Sequence, residues 1–195
     1  DSQFTEKLLH SDPDIFFEPM AFEREHSVEV QLPFLQRTLK DFKIVPVVIG
    51  SGGFDLSRKL AGKLKEIIGG RKDVLVVASS DMYHGYDYEE CERADAQTLS
   101  CLTVMDEAGF EQGLNSGTLQ MCGGSAVAAV LILGKSLGHE KTILLAHTNS
   151  AIVTGRMIKG SWTVGYSSLV IDREKGADAM LLNKEQRVKM LDLAR

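Results

Sequence analysis

With 195 residues, 44% of them hydrophobic and 25% charged, the chain has the composition of one soluble globular domain able to bury a sizeable core. Its net charge of −5 comes from interspersed acidic and basic residues rather than from a basic face, which excludes nucleic acid as a main partner. No apolar run reaches the ~18 residues of a membrane helix and no signal segment opens the chain, so the sequence implies no membrane association and a cytoplasmic location.

Residues 1–23 carry no clear helical or strand period, and the chain begins at Asp1 without a methionine, so a trimmed or partial chain is expected. Residues 27–40 place Val28, Leu32, Leu35 and Leu39 at helical spacing with Ser27 available as N-cap, although Pro33 removes a backbone donor unless the helix starts later. KIVPVVIG (43–50) reads as a buried strand and GSGG (50–53) as the turn after it. Leu56, Leu60, Leu64 and Ile67 mark a helix face over 54–68, ended by Gly69 and Gly70. DVLVVASSD (73–81) is the clearest buried strand. One long helical stretch is expected from about 88 to 107 and an apolar one over 125–137. TILLAHTNS and SWTVGYSSLVI supply two further strands. Strands alternating with helices of this length predict an α/β fold, a layered sheet covered by helices on both faces.

After Ile171 the composition changes. DREKGADA is charged and small, and LLNKEQRVKMLDLAR opens a new amphipathic helix. The expected organisation is one domain over 1–172, followed by a linker and the start of a helix over 173–195.

Cys91, Cys101 and Cys122 are odd in number and lack CxxC spacing, which argues against a disulfide framework or a zinc knuckle and for reduced thiols. Cys91 and Cys101 fall inside a helical pattern and read as core. Cys122 precedes Gly123, Gly124 and Ser125, which open a helix, and the positive end of a helix dipole favours the thiolate that ligates metals. The alternative is an inert buried cysteine.

The strand over 73–81 delivers Ser79, Ser80 and Asp81 at its carboxyl end, where open α/β sheets bind ligands, followed by Met82, Tyr83 and His84. Asp81 and His84, three residues apart, either converge on a ligand, with the carboxylate fixing the imidazole, or serve as a helix cap and a surface residue. His26 before its helix is either a general base or a capping residue. His10 and His139 have only bland readings, and His147 can line the same sheet end. There is no P-loop, GxGxxG, GxSxG or HExxH motif, and GSGG is a weak phosphate cradle.

In order and spacing, EHSVEVQLPFL, VVASSDMYH, MCGG, NSAIVTG and WTVGYSSLVI resemble the MEMO family, also called AmmeMemoRadiSam system protein B. The resemblance covers about three quarters of the chain. It implies a three-layer αβα fold related to the LigB-like class III extradiol dioxygenases. It also implies a mononuclear iron site, with zinc or copper as alternatives, held by two histidines and a cysteine. The family cysteine matches Cys122, the aspartate and histidine of SSDxxH match Asp81 and His84, and the histidine of EHS matches His26, where the dioxygenases carry an acid/base histidine. The two metal-binding histidines lie in PHAGY-like and GPxHH-like motifs upstream of EHS. Neither motif occurs here, so the resemblance implies a fragment lacking its N-terminal part, with incomplete metal binding. Ser125 and Ala126 replace the residues usual after CG, Ala151 replaces the glycine of NSG, and His147 stands where an aromatic is common.

NKEQRVKMLDLAR resembles the opening helix of an AMMECR1 domain, which implies AMMECR1 and radical SAM proteins as partners beside a small-molecule or peptide ligand. Three readings follow: iron-dependent redox or dioxygenase-related chemistry without catechol cleavage, a non-enzymatic peptide- or partner-binding module, and a zinc-dependent hydrolase.

Overall fold

The computed structural model describes residues 1–171, so the expected linker and AMMECR1-like helix over 173–195 lie outside the described residues. Helix α1 (Ser2–Leu9) opens the chain, capped by the Asp1 carboxylate on the Phe4 amide, and buries Phe4 and Leu8. That i, i+4 pair was the only helical signal in a segment otherwise without period. The 27–40 region splits into a 3₁₀ turn (Glu29–Gln31) and helix α2 (Leu32–Thr38), with Pro33 in its first turn, where a missing donor costs nothing. Ser27 caps neither; its amide donates to the Glu25 carboxylate at 2.6 Å.

Helices α3 (Gly53–Ile68) and α6 (Gly124–Ser136) pack against each other and organise two cores. Phe54, Leu102, Met105, Phe110, Leu119, Ala128 and Leu131 form one. Phe4, Leu8, Ala61, Leu64, Ile68 and Leu133 form the other, with Val45, Val74 and Val76 against it. The single stretch expected over 88–107 is two helices, α4 (Tyr88–Thr103) and α5 (Glu107–Ser116). The break falls at Met105, which takes a left-handed φ of 54° that costs a non-glycine residue roughly 1–2 kcal/mol. Burial of its side chain in the first core and the Asp106 cap on the Gly109 amide offset that strain.

Strand β1 (His84–Gly85), strand β2 (Thr142–Asn149), helix α7 (Ser150–Thr154) and strand β3 (Thr163–Ile171) complete the order, and the strands form an antiparallel sheet ordered β1-β3-β2. Helices with a small sheet make this an α/β fold, as the periodicity implied. Residues 43–50 and 73–81 were expected as buried strands, but neither forms a strand of the described sheet. In 73–81 the burial alternates. Val74 and Val76 face the second core, whereas Leu75 is 69% exposed and Val77 also points outward. One face of 73–81 is thus covered, and it joins no ladder of the described sheet. No helix among the described residues is long and apolar enough to cross a membrane.

At the start of α4 the Asp87 carboxylate accepts from the Glu89 and Glu90 amides at 2.8 and 3.2 Å. The Glu90 amide first, then the Glu89 amide and the cations Lys159 and Arg93, hold its carboxyl below the ordinary value of 3.8. A depressed folded value contributes stability above the unfolded carboxylate range, and that stability is lost as pH falls through the folded value. Asp87→Asn, whose cap does not titrate, is therefore expected to soften the acid limb of the urea-midpoint profile. An unchanged acid limb would remove Asp87 from it.

Candidate functional site

The site grows from one close approach of backbone. Segment 73–81 ends in Ser79, Ser80 and Asp81, and the loop before α6 brings Cys122 and Gly123 against it. Gly123 is required there, because a Cβ would meet the Ser79 carbonyl oxygen and Ser80 Cβ at 2.8 Å each. The Gly123 amide donates to Ser80 Oγ (2.7 Å), and the Cys122 amide donates to the Asp81 carbonyl (3.2 Å). In return the Asp81 amide donates to Cys122 Sγ at 3.1 Å, with Ser80 Oγ 3.6 Å from the same sulfur. Cys122 is exposed, not a buried inert thiol.

Asp81 does not cap α4; Asp87 does. The Asp81 carboxylate instead lies 3.4 Å from His84 Nε2. His84 and Cys122 line one cleft of about 460 Å³, with Phe54, Met82, Leu119 and Met121 supplying apolar walls. At the lip the His84 ring stacks near Trp162 (6.1 Å, 27°), and Tyr86 meets Trp162 edge to face at 4.9 Å. Trp162 is 54% and Tyr86 66% exposed, so the cleft opens beside an accessible aromatic ledge.

Asp81, His84 and Cys122 are thus brought together by direct contacts. His26 is exposed and makes no hydrogen bond or ion pair to the other three. Its segment reaches the sheet end through Gln31, whose Nε2 donates to Ser79 Oγ at 2.9 Å. The Glu25 carboxyl beside it is held below its ordinary range first by the Ser27 amide, a local turn contact rather than a dyad with His26.

Beneath the rim lies a group that sequence reasoning missed. Asp95 of α4 is 0% exposed and takes His147 Nε2 of β2 at 2.8 Å. The available signal was a carboxylate on the apolar stripe of Cys91, Thr98, Leu99 and Leu102, all buried. Tyr83, also buried, donates its hydroxyl to Glu90 at 2.9 Å, and burial, then Glu90, pushes its phenol up to about 12.

A tight transition-metal site requires three or more ligands in fixed geometry. Among the described residues no group of three or more His, Cys, Asp or Glu side chains is placed to hold a metal ion. Cys122 is a lone soft donor, and Asp81 and His84 are engaged with each other. The described residues therefore do not by themselves fit the iron expected from the resemblance.

The family described as Memo-like protein matches residues 1–170. A "MEMO1 family protein" of Caldivirga maquilingensis is 34% identical over 170 residues, covering 87% of this chain and 59% of that protein. Proteins of the same name from Methanobrevibacter smithii (35%, covering 86% of this chain and 59% of the relative) and Archaeoglobus fulgidus (33%, covering 87% and 63%) are similar to it. The chain spans about three-fifths of the length of these curated relatives.

Proposed function

From the premise that this chain belongs to the Memo-like protein family, we propose that the rim of Asp81, His84 and Cys122 is a ligand site for dioxygenase-related redox chemistry. The observation that carries this reading is the 3.1 Å contact of the Asp81 amide with Cys122 Sγ beside the 3.4 Å Asp81–His84 pair, at the mouth of a half-apolar cleft. Cys122 would supply one sulfur ligand to a mononuclear iron, for which the resemblance implies two histidine ligands in motifs that this sequence does not contain. Iron there would supply redox chemistry. The Asp81 carboxylate, 3.4 Å from His84 Nε2, would orient the imidazole and leave Nδ1 to face a bound ligand. The role of His26 rests on its EHS motif alone. A thiolate in place of a carboxylate softens the ligand field, so ring cleavage of catechols is not part of this proposal.

Metal analysis of the full-length protein, purified and reconstituted with iron without oxygen, tests it. About one iron per chain is expected for the wild type and less than roughly a tenth for Cys122→Ser, because losing one of three protein ligands removes the site. Wild-type iron content in Cys122→Ser would remove Cys122 from the metal. The same analysis decides whether zinc or copper occupies the site.

The aromatic ledge supports a second reading, a non-enzymatic module binding a peptide or partner, because exposed Trp162 and Tyr86 offer a large apolar contact at low entropic cost. Saturable peptide binding that survives chelation of the metal and is lost in Trp162→Ala would favour it. In either case the proposed setting is the cytoplasm, with AMMECR1-type and radical SAM proteins as proposed partners.

A further inference from the structure

A carboxylate removed from water is costly unless its oxygens are paired. Asp95 meets that condition with three donors. Its Oδ1 accepts from the Tyr83 amide at 3.1 Å, and its Oδ2 accepts from His147 Nε2 at 2.8 Å and from the Cys91 thiol at 3.6 Å. Strand β3 also packs closely on the carboxylate, at Gly165, where a Cβ would fall 2.0 Å from Asp95 Oδ2. Gly165 is also the ladder partner of the site segment: the Met82 amide donates to its carbonyl and its amide donates to the Tyr83 carbonyl, both at 2.9 Å.

Strand β1 is only two residues long, paired His84 to Val164 and Gly85 to Thr163. The stretch bearing Asp81 and His84 is thus fixed by few ladder bonds, and the Tyr83 amide, directly before His84, is held from below by Asp95.

We propose that Asp95, held in place by the His147 imidazole, is a positioning residue of the rim that sets the Asp81–His84 pair against Cys122. This rests on reading the rim as a functional site. The pairing requires an N–H on His147, because Asp95 without that donor would be a buried charge short of a partner. Glutamine at 147 can present an N–H near the place of Nε2, and leucine cannot.

The test uses the full chain and its single tryptophan, Trp162, which stacks on His84 and so reports where that ring sits. In His147→Leu, under conditions where circular dichroism shows the protein folded, the Trp162 emission should shift. The alkylation rate of Cys122 by iodoacetamide should change by roughly threefold or more, since the sulfur contact with the Asp81 amide is disturbed. His147→Gln should return both to wild type. If the leucine variant loses stability but leaves emission and alkylation unchanged, Asp95 is a structural anchor only and the proposal is overturned.

Should the leucine variant not fold, two double variants carry the test. His147→Leu with Asp95→Asn keeps a neutral acceptor for the Tyr83 amide, and His147→Leu with Asp95→Ala does not. Wild-type emission in the first and shifted emission in the second is the expected result, and equal emission in both overturns the proposal. None of these readouts involves metal. A wild-type protein without iron would sink the redox reading and leave this comparison standing.

Discussion

Gly165→Ala is expected to destabilise the protein by about 3 kcal/mol, roughly a hundredfold in the ratio of folded to unfolded chains. The new methyl group would lie 2.0 Å from Asp95 Oδ2 and 2.6 Å from Cγ, inside any tolerable contact. An exposed carboxylate would swing aside. Asp95 is wholly buried and pinned by the Tyr83 amide and His147, so relief means breaking those bonds or parting α4 from β3. Overpacking of a buried site ordinarily costs ~1–3 kcal/mol, and the lack of a soft neighbour places this one at the upper end. Gly165 has no positive φ, so the cost is steric rather than conformational.

Two comparisons isolate the cause. Gly62→Ala, in the middle of α3 with open space around it, should stabilise by up to ~1 kcal/mol through helix propensity. Gly165→Ala combined with Asp95→Ser should cost less than the two single changes added together, since the second removes what the first strikes. Urea midpoints of the four variants decide it. Strict additivity would mean that Gly165 and Asp95 do not press on each other.

That contact also marks where the sequence stops being legible. Helices α3 and α6 could be read directly, because their apolar spacing, terminal glycines and polar flanks agree. The rim was legible only in part: the residues left Asp81 and His84 open between a ligand site and a cap with a surface residue, and Cys122, 41 residues on from Asp81, was joined to them by the family resemblance rather than by any local pattern. Asp95 and His147 are 52 residues apart, and no local rule couples a helix carboxylate to a strand imidazole. Only the presence of a charge on the apolar stripe of α4 hinted at it. Segments 43–50 and 73–81 were misread for the opposite reason. β-branched runs show that a segment prefers to be extended, but pairing depends on neighbours that composition does not reveal. The division of α4 from α5 was likewise hidden, since a left-handed methionine is chosen by core burial rather than by propensity.

Cysteine labelling should separate the three thiols by orders of magnitude. Cys122 is exposed on the rim, Cys101 is half-buried against the first core, and Cys91 is buried within α4. Burial first, then the Asp95 carboxylate, pushes the Cys91 thiol up to about 12. At pH 8 only about one in 10⁴ of such thiols is the reactive thiolate, and reagent reaches it only when α4 opens. Iodoacetamide on the native protein should therefore modify Cys122 first and Cys91 last, with Cys91 slower by at least about 10³-fold.

The same raised value has a consequence for stability. A folded value above the ordinary 9.0 means that the contribution of Cys91 is fully present below that pH and is lost as pH rises towards about 12. The Tyr83 phenol acts in the same direction from 10.0 to about 12. Urea midpoints should fall across that alkaline window, and Cys91→Ala should flatten the lower part of the fall even if it costs some packing. Comparable labelling of Cys91 and Cys122 at pH 8 would mean that the α4 face is open, and Asp95 could not then hold a rim from beneath. With the expected order, any loss of iron or ligand on mild alkylation is assigned to Cys122, the one thiol that faces the cleft.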